Sequence, residues 1–322
     1  MTTTSPPAPP APPAGAPIKA KQRPGDRVFS GTALFAGSMI LVTLAAVAIF
    51  LIIQSLPGLT ATNDTASILP TNFWDYVWPL AFGTVWASFL ALLLAVPLSV
   101  AVALFISHYA PRRLAQGLGY IVDLLAAVPS VVFGLWGILV LAPAVQPVYS
   151  WLVTNAGWFP LFAGPVSSTG RTIFTAAMVL AVMVVPIITA ICREIFLQTP
   201  PLHEEAALAL GATRWEMIKM AVFPFGRSGI VSASMLGLGR ALGETMAVAL
   251  VLSATGVVTF SLFTPGNPST IPANIALTFP EAYGTNINVL IATGLILFIV
   301  TFAVNALARY IVNRRKEFSG AN

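Results

Sequence analysis

Six runs of apolar residues, separated by short polar connections, dominate the chain. They cover approximately residues 32–54, 77–107, 114–140, 172–195, 230–253 and 289–312. A hydrocarbon core about 30 Å thick is crossed by about 20 apolar residues in an α-helix, so each run is long enough to span it. A helix in lipid satisfies its backbone N–H and C=O groups within one segment. The pattern therefore predicts an all-α integral membrane protein with about six transmembrane helices. The second run is longer than needed and contains Pro97, which predicts a kinked or tilted helix or an extra interfacial turn. Pro129 and Pro186 fall within the third and fourth runs.

Composition agrees with the pattern. Of the 322 residues, 57% are hydrophobic and 8% charged, against about 25% charged in a soluble domain. The mean hydropathy is +0.86. A net charge of +5 would suggest nucleic acid in a soluble protein. Here the basic residues cluster at the ends of apolar runs, so membrane lipid is the expected partner and nucleic acid is not. Lys19, Lys21, Arg23 and Arg27 precede the first run, and Arg112 and Arg113 divide the second from the third. Arg193, Arg214, Lys219 and Arg227 surround the connection between the fourth and fifth, and Arg309, Arg314, Arg315 and Lys316 end the sixth. Residues 55–76 and 255–288 hold no Lys or Arg, and only Arg171 stands on their side. The positive-inside rule predicts a multi-pass protein of the cytoplasmic membrane with both termini and the 196–229 connection in the cytoplasm. Asp64, Asp75 and Glu281 then fall outside, and Trp74, Trp78, Trp151 and Trp158 lie near outer boundaries as interfacial anchors.

Residues 1–20 are rich in Pro, Ala and Thr and nearly uncharged, a composition that cannot offset the entropy of ordering. Prolines stand where a secretory signal would carry its apolar core. The expected organisation is a disordered tail over 1–27, a transmembrane domain over 28–313 and a cytoplasmic tail over 314–322. The lone Cys192 sits in an apolar run and reads as a small hydrophobe. No cofactor or metal site is expected.

The 199–224 connection is the most informative stretch. Thr199 is placed to cap a helix that tolerates Pro200 and Pro201 in its first turn. Glu204 and Glu205 suit its positive end, and Gly211 is placed to stop it in a left-handed turn. Thr213 and Glu216 form a T-x-x-E capping box for a second short helix, which Pro224 is expected to end. Alone, two short helices around a glycine turn describe an ordinary connector. The series Glu205-Ala206-Ala207, Gly211 and Pro224, however, resembles the EAA loop of ABC importer permeases. That loop docks into a groove of the ATP-hydrolysing subunit. Small Ala206 and Ala207 would let another surface approach, and Glu205 would offer it a carboxylate. Ala221 and Phe223 depart from the family's usual Ile and Leu. No G-x-x-x-x-G-K-[ST] stretch is present, so any ATPase must be a separate polypeptide.

Arg240 and Glu244 stand inside the fifth run. A charge near the middle of a membrane helix costs at least about 2.5–3.5 kcal/mol. Four residues apart, the two share a helix face. They either neutralise each other or serve a path for an oxyanion, which the planar guanidinium of Arg binds bidentately. Gly239 and Gly243 would let a partner helix approach. Asp123, in the third run, either joins a compensated network around that path or makes an interhelical or helix-end contact. His108 and His203 lie near the connections, apart from any nucleophile or metal ligand, so a membrane enzyme is disfavoured.

At these residues the chain resembles the PstC family of phosphate importer permeases over roughly residues 27–316. The resemblance rests on residues 107–113, residues 123–136, Val185-Pro-Ile-Ile188 with Arg193-Glu194, the EAA loop, and above all residues 239–248, Gly-Arg-Ala-Leu-Gly-Glu-Thr-Met-Ala-Val. The companion PstA family usually follows Gly-Glu-Thr with Ala-Pro, where this chain has Met246-Ala247. Asp123 stands where the family often has Glu. The resemblance implies a type I ABC importer permease fold. It also implies a PstA-like second permease, two PstB-like ATP-binding subunits and an extracytoplasmic PstS-like phosphate-binding protein. It places Arg240 and Glu244 on the substrate path, where Asp123 is the third candidate by its charge within the run, and Glu205, Ala206, Ala207, Gly211 and Pro224 at the ATPase, with no catalytic residue in this chain. A permease for sulfate or molybdate, or a PstA-type subunit, is the alternative. A channel would need no ATPase-docking loop.

Overall fold

The computed structural model describes residues 24–316, and side chains over 25–310. Most of the expected N-terminal tail and the end of the C-terminal one lie outside the described residues. Among those described the chain is helical, with no strand beyond two isolated bridges. In order the helices are α1 (Pro24–Leu59), α2 (Phe73–Leu104), α3 (Arg112–Ala126), α4 (Ser130–Trp136), α5 (Ala142–Ala156), α6 (Ile173–Leu197), α7 (Pro201–Ala209), α8 (Arg214–Met217), α9 (Phe223–Leu242), α10 (Met246–Val251), α11 (Ile271–Thr278) and α12 (Thr285–Lys316). Both terminal helices run into the segments expected as tails, α1 from Pro24 and α12 to Lys316.

The chain divides into two units, Met1–Phe50 and Leu51–Asn322. The described part of the first is the opening run of α1, whose apolar side chains, among them Leu34, Phe35, Leu41 and Phe50, are exposed as a lipid-facing helix requires. The second unit is organised around α2, α6 and α9. Helix α9 runs antiparallel to α6 and closes on it through glycines. A Cβ at Gly226 would meet the Phe196 ring at 2.9 Å, one at Gly229 would overlap Ile195, and one at Gly237 would stand 2.7 Å from Val184 and Ile188. The small residues Ala87, Ala91 and Ala95 of α2 and Ala176, Ala177 and Ala181 of α6 are buried. Small side chains let helices approach closely in lipid, where packing rather than hydrophobicity joins them. Two polar contacts add to this seam: Ser99 Oγ donates to the Val185 carbonyl (3.2 Å), and Thr189 Oγ1 to that of Ser99 (3.4 Å).

Six helical segments are long and apolar enough to cross a membrane: Gly25–Leu59, Phe73–Tyr109, Ser130–Ala156, Ile173–Leu197, Arg214–Leu242 and Thr285–Tyr310. The number matches the expectation, and two placements correct it. The apolar run over 114–140 is two helices. Pro129 is extended (φ −59°, ψ 139°), and its ring disfavours helical geometry in Val128 before it, so α3 ends at Ala126 and a new helix begins at Ser130. The part before the break, α3, has 15 residues, about 22 Å of helix and too short to span. Its Leu114, Tyr120 and Leu124 are exposed. The spanning helix starts instead at Ser130 and runs through a π-helical turn at Gly137–Leu141 to Ala156. Pro143, Gln146 and Pro147 mask its second half in hydropathy.

The fifth run shifts as well. The helix begins before Ile230 and ends at Leu242. Pro224 does not stop it. The π-helical turn Ile218–Val222 precedes Pro224, at the first positions of α9. Such a turn relieves the clash of a proline ring with the carbonyl of the preceding turn. Beyond the spans, Asn267 is buried and tethers the connection between α10 and α11, accepting from the Ile173 N–H (2.9 Å) and donating to the Ser261 carbonyl (3.1 Å). Trp74, Trp78, Trp151 and Trp158 are all exposed.

Candidate functional site

Two places gather the residues singled out above. The first is the segment from α7 to α8. Gly211 has φ +84°, the left-handed geometry that only glycine adopts freely. Its N–H reaches the Leu208 carbonyl (3.0 Å), and Ala212 N–H that of Ala207 (3.2 Å). Thr213 and Glu216 form both halves of a capping box: Thr213 Oγ1 accepts from the Glu216 N–H (3.3 Å), and Glu216 Oε2 accepts from the Thr213 N–H (2.8 Å). Thr199 is not the cap expected of it. Pro200 occupies that position without a side-chain bond, and the Thr199 hydroxyl is buried with no hydrogen-bond partner among the described residues.

Glu205, Ala206, Gly211 and Pro224 are exposed. Ala207 instead faces inward, buried in the core of its own chain, so it serves the seat of α7 rather than an outside surface. Leu202, Leu210, Trp215 and Met220 are exposed around this segment. One contact has no signal in local spacing. Glu204 Oε1 lies 3.4 Å from His108 Nε2, in the π-helical turn Phe105–Tyr109 that continues α2, while His108 Nδ1 meets Ser107 Oγ at 2.7 Å. His108 is thus not isolated, and ties α7 to a span 96 residues earlier.

The second place is the junction of α9 and α10. The helix stops at Leu242, with Gly243 at φ −92°, and resumes at Met246. Arg240 and Glu244 therefore do not share a helix face. Arg240 is exposed in the last turn of α9, and among the described residues it has neither a hydrogen-bond nor an ion-pair partner. Glu244 is 8% exposed, and its Oε1 accepts from the Ala247 N–H (3.1 Å). It caps α10, so its charge meets the positive end of that helix. Gly237, one turn before Arg240, packs against Val184 and Ile188 near the centre of α6. Arg240 thus stands about 4.5 Å along the helix from that level. Gly239 has open space around it; the close approach within this chain runs through Gly226, Gly229 and Gly237. Asp123 belongs to neither place. It is exposed on α3 and lines a cleft with Arg112, Arg193 and Glu194, in which Arg193 Nη2 pairs with Glu194 Oε1 at 2.9 Å.

Comparison with known proteins follows the same lines. Residues 95–317 match the family described as binding-protein-dependent transport system inner membrane component. The phosphate transport system permease protein PstC 2 of Mycobacterium tuberculosis is 49% identical over 303 residues, covering 90% of this chain and 92% of that one. The PstC of Mesorhizobium japonicum is 40% identical over 309 residues, covering 92% of each. The chain belongs to the PstC family of inner membrane transport permeases. It is therefore a multi-pass inner membrane transport component. Among solved structures, that of a bacterial alginate ABC transporter in complex with alginate pentasaccharide-bound periplasmic protein is similar at TM-score 0.61. The two are 16% identical, with 90% of this chain and 95% of that one covered. This likeness establishes the ABC importer permease fold. The family match includes both places, the α7–α8 segment and the α9–α10 junction.

Proposed function

We propose that the chain is one of two permease subunits of an ATP-driven importer of inorganic phosphate. The observation that carries this reading is Arg240: a permanently charged guanidinium, exposed and unpaired, one turn from the level of the centre of a membrane span. Without a carboxylate partner it is open to an anion, and its planar fork suits a phosphate that has lost hydration. The PstC relatives support phosphate over other oxyanions. Glu244, held on α10, leaves that guanidinium free. In this reading the second permease is PstA-like, and a PstS-like protein delivers phosphate. Two PstB-like subunits hydrolyse ATP and receive Glu205, Ala206, Gly211 and Pro224 with their exposed apolar neighbours. Both termini face the cytoplasm with the α7–α8 segment.

Phosphate uptake by reconstituted complexes of equal subunit composition tests the path. Arg240→Gln removes the charge and is expected to lower uptake by about tenfold or more, since a charge-assisted bond contributes about 1.5–3 kcal/mol. Arg240→Lys should recover part, as a point charge without the fork. Wild-type uptake by Arg240→Gln would overturn the reading. For orientation, a reporter fused after Asn322 should read as cytoplasmic, and a tag near Asn267 as extracytoplasmic.

A further inference from the structure

Arg171 was the exception to the charge pattern, the one cation on a side otherwise without Lys or Arg. It stands just before α6, at the end opposite the α7–α8 segment. Its guanidinium reaches across to α10. Nη2 donates to the Leu250 carbonyl (3.2 Å) and Nε to the Val251 carbonyl (3.4 Å), 79 and 80 residues away. The base of the side chain is fixed. Gly170, at φ +69°, is pressed against the Ala142 carbonyl, and its own carbonyl accepts from the buried Thr175 hydroxyl at 2.6 Å.

Helix α10 has six residues, and a helix that short is unstable alone. Its terminal carbonyls lack helical partners, and its dipole leaves negative charge at that end. Arg171 answers both needs. At the other end Glu244 meets the positive pole through the Ala247 N–H (3.1 Å). Opposite charges thus clamp α10 at both ends, and the clamp fixes where the Glu244 carboxylate lies. If α10 frays, that carboxylate is released four residues from Arg240.

We propose that Arg171 is a positioning residue for translocation: by holding the end of α10 it keeps Glu244 on the Ala247 amide and away from Arg240, leaving that guanidinium free for the anion. The proposal rests on the reading of Arg240 as part of the path. The clamp itself is measurable without it. Val251 is fully buried at the held end of α10. In a chain carrying Cys192→Ala and Val251→Cys, assembled with its partner subunits, maleimide should label the cysteine slowly. Arg171→Gln should speed labelling about fivefold or more, with Arg171→Lys between, because a helix-end cation and its hydrogen bonds are lost. Without the cysteine changes, Arg171→Gln should lower maximal phosphate uptake by about fivefold at equal complex content. In a Glu244→Gln background the same change should cost less than about twofold, because no carboxylate remains to be released. Unchanged labelling would overturn the clamp. Faster labelling with unchanged uptake would overturn the positioning role, as would an equal loss in the Glu244→Gln background. Full uptake by Arg240→Gln, beside faster labelling in Arg171→Gln, would bring down the path reading and leave the clamp standing.

Discussion

The α7–α8 turn and the α9–α10 junction use the same parts, a glycine and a glutamate that caps a short helix, and differ in what holds them. At the turn every bond closes locally. Gly211 needs its left-handed φ of +84°, Thr213 and Glu216 satisfy each other three residues apart, and residues 213–216 stay exposed. At the junction Gly243 has an ordinary negative φ, Glu244 is buried, and the short helix is completed by Arg171 from another part of the chain. A locally closed device can sit on a surface offered to a partner. One that borrows its closure from a distant residue is held by the fold, and its geometry changes when the fold does.

The largest expected break of this contrast is at Gly134. A Cβ there would stand 2.9 Å from the Ala247 Cα and from Leu250, and backbone cannot yield as a side-chain tip can. Gly134→Val is expected to displace α10 at about 1–3 kcal/mol of overpacking. Uptake should fall by about tenfold at equal complex content. Undiminished uptake would mean that α4 rather than α10 yields, so that this contact does not set where the junction lies.

Gly211→Val comes next. It forces a β-branched side chain into left-handed geometry at about 1–2 kcal/mol, with no Cβ clash, because the space around Gly211 is open. Insertion should be unaffected, while ATP hydrolysis coupled to uptake falls several-fold. Normal coupling with insertion verified would separate this turn from the ATPase.

The smallest effect is expected at the tie between α7 and α2. His108 and Glu204 are partly exposed, and such a pair contributes about 0–1 kcal/mol. His108→Gln should change the ratio of phosphate transported to ATP hydrolysed by less than about fivefold. Adding Glu204→Gln should then change it little, since the partner is already gone. A larger or additive effect would show that one of the two acts elsewhere.

Several features were legible in the sequence because their causes lie within a few residues or in bulk composition. The six spans follow from apolar length, and the glycine turn with its capping box from residues 211–216. The errors have physical reasons too. Hydropathy averages over Pro129 and merges α3 with α4, which carried Asp123 into a span it does not occupy. Helical spacing joined Arg240 to Glu244 across a break that hydropathy does not register. Pro224 read as a stop because a π-helical turn that absorbs a proline has no signature in composition.

The order of residues alone was enough to show that this chain lives in a membrane as about six helices. It fixed a pair of short helices with a locally closed glycine turn, and it put an arginine deep in an apolar run, since length, polarity and neighbouring caps act without reference to the rest of the fold. Which partners the charges have depended on packing in three dimensions. Among the described residues Arg240 was left unpaired, Glu244 was turned onto an amide of α10, Arg171 was carried to the other end of that helix, and His108 was brought to Glu204. A charge in lipid surroundings takes whichever opposite pole the packing brings within about 3 Å, and that pole can lie tens of residues away in the chain.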